Sequence, residues 1–349
     1  MNSHKNILPY FKSLDGLRAF AALGVIMAHY CYTDNPILFQ FFQLGNQGVS
    51  LFFVLSGFVI SRILYNTISN NNYFKQFYIR RILRIFPLYY FSLFIYNLLD
   101  YLYSKDSVNI FNYSYHYLYL QNFARTFNWD FRGPGHFWSL AVEEHFYLIW
   151  PLVIYLVYKY SKNFIKHIYI TLAIIIFLAL FTRFLLLLSD LEVNVLTFAR
   201  IDQLAFGGVL ALLEKNKSKY FSPKFAKICI FLGIMWVVIC FVSNDFMSNL
   251  IKHYAFGILF FGIILYSIFT KSKLIIFILN NRVIQYLGKI SYGIYVWHMI
   301  FIVLGFHKNE ELDILNIAIG ISFTLILSAL SYHFLELPFL KMKERMNYT

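Results

Sequence analysis

Charge is scarce in this sequence. Asp, Glu, Lys and Arg together make up 13% of its 349 residues, about half the share found in a soluble domain. A surface that stays dispersed in water needs roughly a quarter to a third of its residues charged, so a soluble globule does not fit. Hydrophobicity, by contrast, is not lacking: 59% of residues are hydrophobic and 21% aromatic, which excludes intrinsic disorder. Cysteine is limited to Cys31, Cys229 and Cys240, each inside an apolar run, and leaves no disulfide or metal framework to read. No GxSxG elbow, phosphate-binding P-loop, dinucleotide fingerprint or zinc spacing occurs. Internal repeats and low-complexity tracts are not visible. Acidic residues are outnumbered, 17 against 30 basic ones, for a net charge of +13. Such a balance points to nucleic acid unless the cations prove to line a membrane.

A bilayer core takes about 20 mostly apolar residues per helix. Runs of that kind begin near Leu17, Val49, Ile85, Leu140, Ile168, Gln203, Ala226, Ile251, Ile290 and Leu315. They predict an all-α, polytopic transmembrane helix bundle of about ten spans, a single domain over residues 1–349. The apolar stretch 274–284 reads as an interfacial helix or as the start of the ninth span. With the N-terminus in the cytoplasm, 23 of the 30 Lys and Arg fall on cytoplasmic segments; Lys105, Arg125, Arg132, Arg183, Arg200, Lys252 and Lys308 fall opposite. This asymmetry is the positive-inside pattern. It places both termini in the cytoplasm, with tails at 1–16 and 338–349 and an extracytoplasmic loop at 104–138. It also accounts for the basic excess, because the cations meet anionic lipid head groups; no nucleic-acid partner is expected. The first apolar run carries no cleavage pattern, so it is expected to stay in the cell (inner) membrane.

Ionisable groups within hydrocarbon cost about 3 kcal/mol each on insertion scales and default to functional candidates. Arg18 and His29 are eleven residues apart, which is about 20° around a helix axis and about 16 Å along it. They share one face. A guanidinium suits a phosphate, and an imidazole suits proton transfer near neutral pH. The same pair also reads as a positive-inside anchor and a hydrogen-bonded core histidine. Arg80, Arg81 and Arg84 stand three and four residues apart on a helix; they can bind several phosphates or anchor to head groups. Glu143, four residues after Ser139, can orient an imidazole, bind an acceptor hydroxyl, or cap a helix start. The aromatic and amide side chains of the loop before it suit sugars or an interfacial belt, and Trp138 and Ser139 at its end are candidate substrate contacts. His298 reads as a core histidine, and Asp202 as a structural partner of Arg200 or a neighbouring arginine. A solute or proton-coupled transporter would use the same residue types, although many transporters show internal symmetry that is not visible here.

Six blocks occur in order: 14–22 (LDGLRAFAA) with His29, 48–58 (GVSLFFVLSGF), 80–87 (RRILRIFP), 137–147 (FWSLAVEEHFY), 200–208 (RIDQLAFGG) and 287–298 (LGKISYGIYVWH). Together they resemble the acyltransferase-3 family of integral-membrane O-acyltransferases, nearly end to end. The resemblance implies transfer of an acyl group, commonly acetyl, from acyl-CoA to a hydroxyl of an extracytoplasmic or lipid-linked glycan such as O-antigen, capsule or exopolysaccharide, without a metal. Arg18 and His29 look like the family's arginine–histidine pair, and Arg81 with Arg84 like its paired arginines. The donor's phosphates are then expected at Arg18, Arg81 and Arg84. His29 acts as general base or as an acyl-imidazole, with Glu143 orienting the imidazole or the acceptor. His145 stands where the family pattern has glutamine. Many relatives carry an extra soluble esterase-like domain; with none here, any helper is expected to be another polypeptide. The residues leave the acceptor, the acyl length and the oligomeric state open.

Overall fold

Short polar residues punctuate the apolar runs and set where helices start. Asn35, Asn163, Ser222, Asn244, Asn281 and Asp313 each accept a backbone N–H from the turn that follows, satisfying donors that a helix leaves open at its start. Pro36 and Pro223 open their helices, where a missing N–H costs nothing. The structure, a computed structural model, describes residues 8–103, 113–304 and 313–344, and these hold no strand. Lys5, Lys105, Lys308 and Arg345 of the charge count lie outside the described residues, as do parts of the expected tails at 1–16 and 338–349 and of the 104–138 loop.

In chain order the helices are α1 (Lys12–Tyr30), α2 (Pro36–Gln43), α3 (Gly48–Thr67), α4 (Tyr73–Tyr103), α5 (Ser114–Tyr117), α6 (Gln121–Thr126), α7 (Trp138–Tyr160), α8 (Phe164–Leu188) and α9 (Thr197–Lys215). They continue with α10 (Pro223–Val242), α11 (Asp245–Phe269), α12 (Lys273–Asn280), α13 (Arg282–Lys289), α14 (Ser291–Trp297), α15 (Ile300–Val303), α16 (Ile314–Ser331) and α17 (Leu337–Glu344). A π turn over Tyr332–Glu336 joins the last two. Among the described residues, seven helical segments are long and apolar enough to cross a bilayer: Pro36–Thr67, Tyr73–Tyr103, Gly135–Tyr160, Phe164–Leu188, Pro223–Val242, Asp245–Phe269 and Ile314–Lys343. Ser291–Val303 is apolar but shorter. Large apolar side chains face outward on α8 and α10, among them Phe177, Phe181, Phe231 and Phe241. Water would tolerate such patches poorly, whereas hydrocarbon accepts them and demands the helical backbone beneath. The chain is a multi-pass membrane protein.

Each of the ten apolar runs begins inside a helix or, at Ile290, immediately before one. Seven segments of spanning length among the described residues stand against the ten spans expected, and two boundaries also differ from the sequence pattern. First, α4 starts at Tyr73, well before Ile85, so Arg81 and Arg84 lie two to three turns inside it rather than at its mouth. Tyr, Phe, Gln and Ile continue a helix whatever their polarity, and the turn at Asn70, where Tyr73 N–H bonds its carbonyl, sets the true start. Second, the stretch 274–284 is divided between α12 and α13, broken at Asn281, whose side chain caps α13.

Helix α1 packs against α3, α11, α12, α13 and α14, made narrow by buried Ala19, Ala21 and Ala22. Helices α3 and α9 cross closely. A Cβ on Gly57 would lie 2.0 Å from the Leu204 carbonyl oxygen, and one on Gly207 would lie 2.2 Å from that of Val54. Beside this crossing Arg183 and Asp202 form a fully buried ion pair at 2.8 Å, and Arg183 also donates to the carbonyls of Ala199 and Leu250. The expected partner of Asp202 is thus the neighbouring Arg183.

Candidate active site

Helices from distant parts of the chain converge on one cavity of about 570 Å³. Helix α1 contributes Asp15 and Arg18; α3 contributes Phe52 and Ser56; α4 contributes Arg81 and Arg84; α7 contributes Ser139, Glu143, Glu144 and Tyr147. Lys289, Tyr295, Tyr332 and Lys343, from the end of the chain, complete the wall. Five cations thus face three carboxylates, so an anion entering the cavity meets net positive charge.

The cations are held differently. Arg18 donates to Asp15 one turn earlier at 2.7 Å, and the Tyr10 hydroxyl donates to the same carboxylate. Burial and that bond push the Tyr10 phenol up to about 12, so it stays a donor. The Arg81 guanidinium lies 6.0 Å from the ring centres of Phe77 and Tyr147. Arg84 lines the cavity and interacts electrostatically with Glu336, but it makes no hydrogen bond or ion pair among the described residues, which leaves its donors open to a ligand. Glu143 accepts from Ser56 at 2.7 Å and from Tyr147 at 3.0 Å, and it interacts electrostatically with Arg18 and Arg81. It makes no bond to His29. It also lies beyond the first turn of α7, so it does not cap that helix.

Ser139 lines the cavity and bonds Tyr295 at 2.6 Å. The Tyr295 hydroxyl is spent on the His136 carbonyl at 2.7 Å, so Ser139 is the donor of the pair. Trp138 is not part of the lining; it lies beneath Arg200, whose guanidinium carbon is 5.0 Å from the ring centre, and meets Phe53 edge-on at 6.0 Å.

His29 does not line the cavity either. Helix α1 is continuous from Arg18 to His29, so the two keep their shared face, but Tyr295 and not His29 lines the cavity. From Tyr295 the rings step to His298 at 5.5 Å and from there to His29 at 4.9 Å. His29 Nδ1 sits 2.9 Å from the Val25 carbonyl. A carbonyl only accepts, so Nδ1 carries the proton and Nε2 carries the lone pair that a general base needs. Among the described residues no group of three or more His, Cys, Asp or Glu could hold a metal ion.

The geometry thus unites Arg18, Arg81, Arg84, Ser139 and Glu143, and sets His29 and Trp138 outside the same wall. Asp15, Ser56, Tyr295, Lys289 and Lys343 were not singled out in the sequence. Asp15, Ser56, Tyr295 and Lys289 fall inside three of the six motif blocks; Lys343 carries no local signal.

A helical membrane domain enclosing a basic cavity beside a tautomer-locked histidine is a class of site, and comparison with known proteins narrows it. The acyltransferase-3 family model, described as an acyltransferase domain, matches residues 11–333, and the chain belongs to that family. It is 30% identical over 357 residues to a Staphylococcus aureus (strain COL) protein named "Putative O-acetyltransferase", covering 95% of this chain and 58% of that protein. It is also 30% identical over 367 residues to a Bacillus subtilis (strain 168) protein named "Putative peptidoglycan O-acetyltransferase", covering 94% and 55%. An Acidianus two-tailed virus protein named "Putative acetyltransferase" is 27% identical over 309 residues, covering 88% and 86%. The chain therefore spans just over half the length of the two bacterial relatives. No solved structure matches it.

Proposed function

We propose that the chain is a membrane O-acyltransferase that moves an acyl group, acetyl in the first instance, from acyl-CoA to a hydroxyl of an extracytoplasmic glycan. The carrying observation is the convergence of Arg18, Arg81 and Arg84 on one cavity. Coenzyme A presents a diphosphate and a 3′-phosphate, and guanidinium groups bind such oxygens by short charge-assisted hydrogen bonds. Lys289 and Lys343, on the same wall, add point charges. Glu143, braced by Ser56 and Tyr147, keeps Arg18 and Arg81 oriented in advance of the donor. The names of the Staphylococcus and Bacillus relatives support acetyl as the group, and the Bacillus name supports a cell-wall glycan as the acceptor class. The positive-inside pattern supports a donor entering from the cytoplasm and a domain seated in the cell membrane.

In this reading the acyl arm passes the contact between Phe52 and Tyr295, whose rings meet at 6.3 Å, to bring its thioester to His29. His29 Nε2 takes the proton of the acceptor hydroxyl. The oxygen attacks the thioester carbonyl carbon, the carbon–sulfur bond breaks, and the imidazolium returns the proton to the departing thiolate. Trp138 and Ser139, at the turn from the loop into α7, form the acceptor side.

The test is transfer itself. Purified protein in detergent is incubated with radiolabelled acetyl-CoA and a panel of glycans, peptidoglycan fragments included. Label entering a glycan with the wild type, and not with His29→Ala, supports the reading. Movement of labelled donor across the membrane of vesicles carrying the reconstituted protein, with no labelled glycan in the detergent assay, would return the chain to the transporter class.

A further inference from the structure

Three imidazoles from remote parts of the chain stand in file behind the cavity. His29 of α1 and His298, at the end of α14, have ring centres 4.9 Å apart. His298 and His136, from the turn before α7, have centres 4.7 Å apart. His298 and His136 are both buried. Each ring has one nitrogen pinned to a backbone carbonyl: His29 Nδ1 to Val25, His298 Nδ1 to Tyr295 at 2.7 Å, and His136 Nε2 to Val296 at 3.2 Å. Since carbonyls only accept, each pinned nitrogen bears the hydrogen and the opposite nitrogen bears a lone pair. Those of His298 and His136 are buried and have no hydrogen-bond partner among the described residues.

This arrangement is costly as packing. An unsatisfied buried acceptor costs about 1–3 kcal/mol, and well-packed interiors avoid it. Here it occurs twice, in adjacent rings. The nearby tyrosines do not relieve it, because they spend their hydroxyls on the backbone that carries the histidines. Tyr30 of α1 donates to the His298 carbonyl, Tyr96 of α4 to Val296 at 3.0 Å, and Tyr295 of α14 to His136 at 2.7 Å. The backbone is thereby fixed and the lone pairs are left open. No carboxylate, lysine or arginine among the described residues makes a hydrogen bond, ion pair or ring contact with any of the three. The titratable groups facing His298 are therefore His29, His136 and these three tyrosines.

We propose that His298 is a positioning residue for His29, with His136 completing the file behind it. When His29 has taken the proton of the acceptor hydroxyl, its ring carries a positive charge in a region where no carboxylate answers it. The lone pair on His298 Nε2, in the ring 4.9 Å away, supplies the partial negative charge that favours the imidazolium until the proton passes to the departing thiolate. This inference rests on the acyl-transfer reading above.

The experiment compares His298→Phe, which fills the space without an acceptor, and His298→Gln, which restores one, with wild type and His29→Ala. Transfer is measured as kcat, KM for acetyl-CoA and the pH dependence of kcat/KM. His298→Phe is expected to lower kcat about tenfold, with KM unchanged. Losing the lone pair makes His29 harder to protonate, so the acidic limb of kcat/KM moves to lower pH, by about one unit for the same tenfold effect. His298→Gln recovers most of both. His298→Met, a flexible gap-filler, carries the same expectation as Phe if the ring folds poorly. Wild-type kcat and an unmoved limb in Phe or Met, beside an inactive His29→Ala, overturn this role alone. Equal losses in all His298 variants, tracking thermal stability, also overturn it in favour of packing. Full transfer by His29→Ala overturns the acyl-transfer reading itself.

Discussion

The guanidinium of Arg84 faces the cavity with its donors uncommitted, whereas Arg18 is already held by Asp15. The two arginines should therefore respond differently to substitution. Arg84→Lys replaces a planar fork by a point charge and should weaken acetyl-CoA binding about 5- to 30-fold, the equivalent of about 1–2 kcal/mol. Isothermal titration in detergent checks it, and an unchanged affinity would make Arg84 a lipid anchor. His29→Ala should lower transfer at least about 100-fold, as expected for a lost general base, with donor affinity within about twofold. Loss of donor binding in a folded variant would contradict a role confined to the acyl end. Arg18, Arg81, Arg84 and His29 were legible because an ionisable side chain in an apolar run stands out by its cost. Ser56 and Tyr295 lay inside motif blocks without a chemical signal of their own, and His298 read only as a core histidine. Serine, tyrosine and histidine sit in membrane helices for many reasons, and only their neighbours reveal which applies.

Among the helices, the α3–α9 crossing links two motif blocks, through Gly57 of one and Gly207 of the other, by steric need. Small residues at membrane helix crossings let backbones approach where no hydrophobic force drives association. A valine at Gly57 would meet the Leu204 backbone, which has no rotamer to yield. The expected loss is about 1–3 kcal/mol or more, read as a lower thermal midpoint in detergent; Gly133→Ala, remote from the crossing, makes a poor control because its φ of 120° is itself restrictive. The ion pair beside the crossing makes a second expectation. Asp202→Ala strands a fully buried guanidinium and should cost about 3–5 kcal/mol, whereas replacing both Arg183 and Asp202 by apolar residues should cost less; thermal unfolding of the single and double variants decides. The long helices were readable from apolar length alone. The early start of α4 and the break between α12 and α13 were not, because a hydropathy window reports the solvent of a segment rather than its backbone hydrogen bonds.

For the molecule as a whole, acid is the expected weakness. His116, in the short helix α5 outside the spanning segments, is fully buried and bonds the Pro134 carbonyl at 3.3 Å. Burial lowers its pKa from the ordinary 6.5 to about 4. Between those values the unfolded chain holds a proton that the folded chain does not, so stability present above pH 6.5 is lost as pH falls toward 4. The loss amounts to about 3 kcal/mol at most. The thermal midpoint should fall over that window, and less steeply in His116→Asn; equal slopes would remove His116 as the cause. The sequence alone determined the solvent class, the helical backbone and the family pattern, because transfer from water to hydrocarbon adds up residue by residue along a segment and needs no knowledge of neighbours. Only the tertiary structure decided that Arg18 shares a wall with Arg81, Arg84 and Glu143 while His29 meets His298. Such pairings join helices from opposite ends of the chain, and their energies depend on distance and burial that no local pattern encodes.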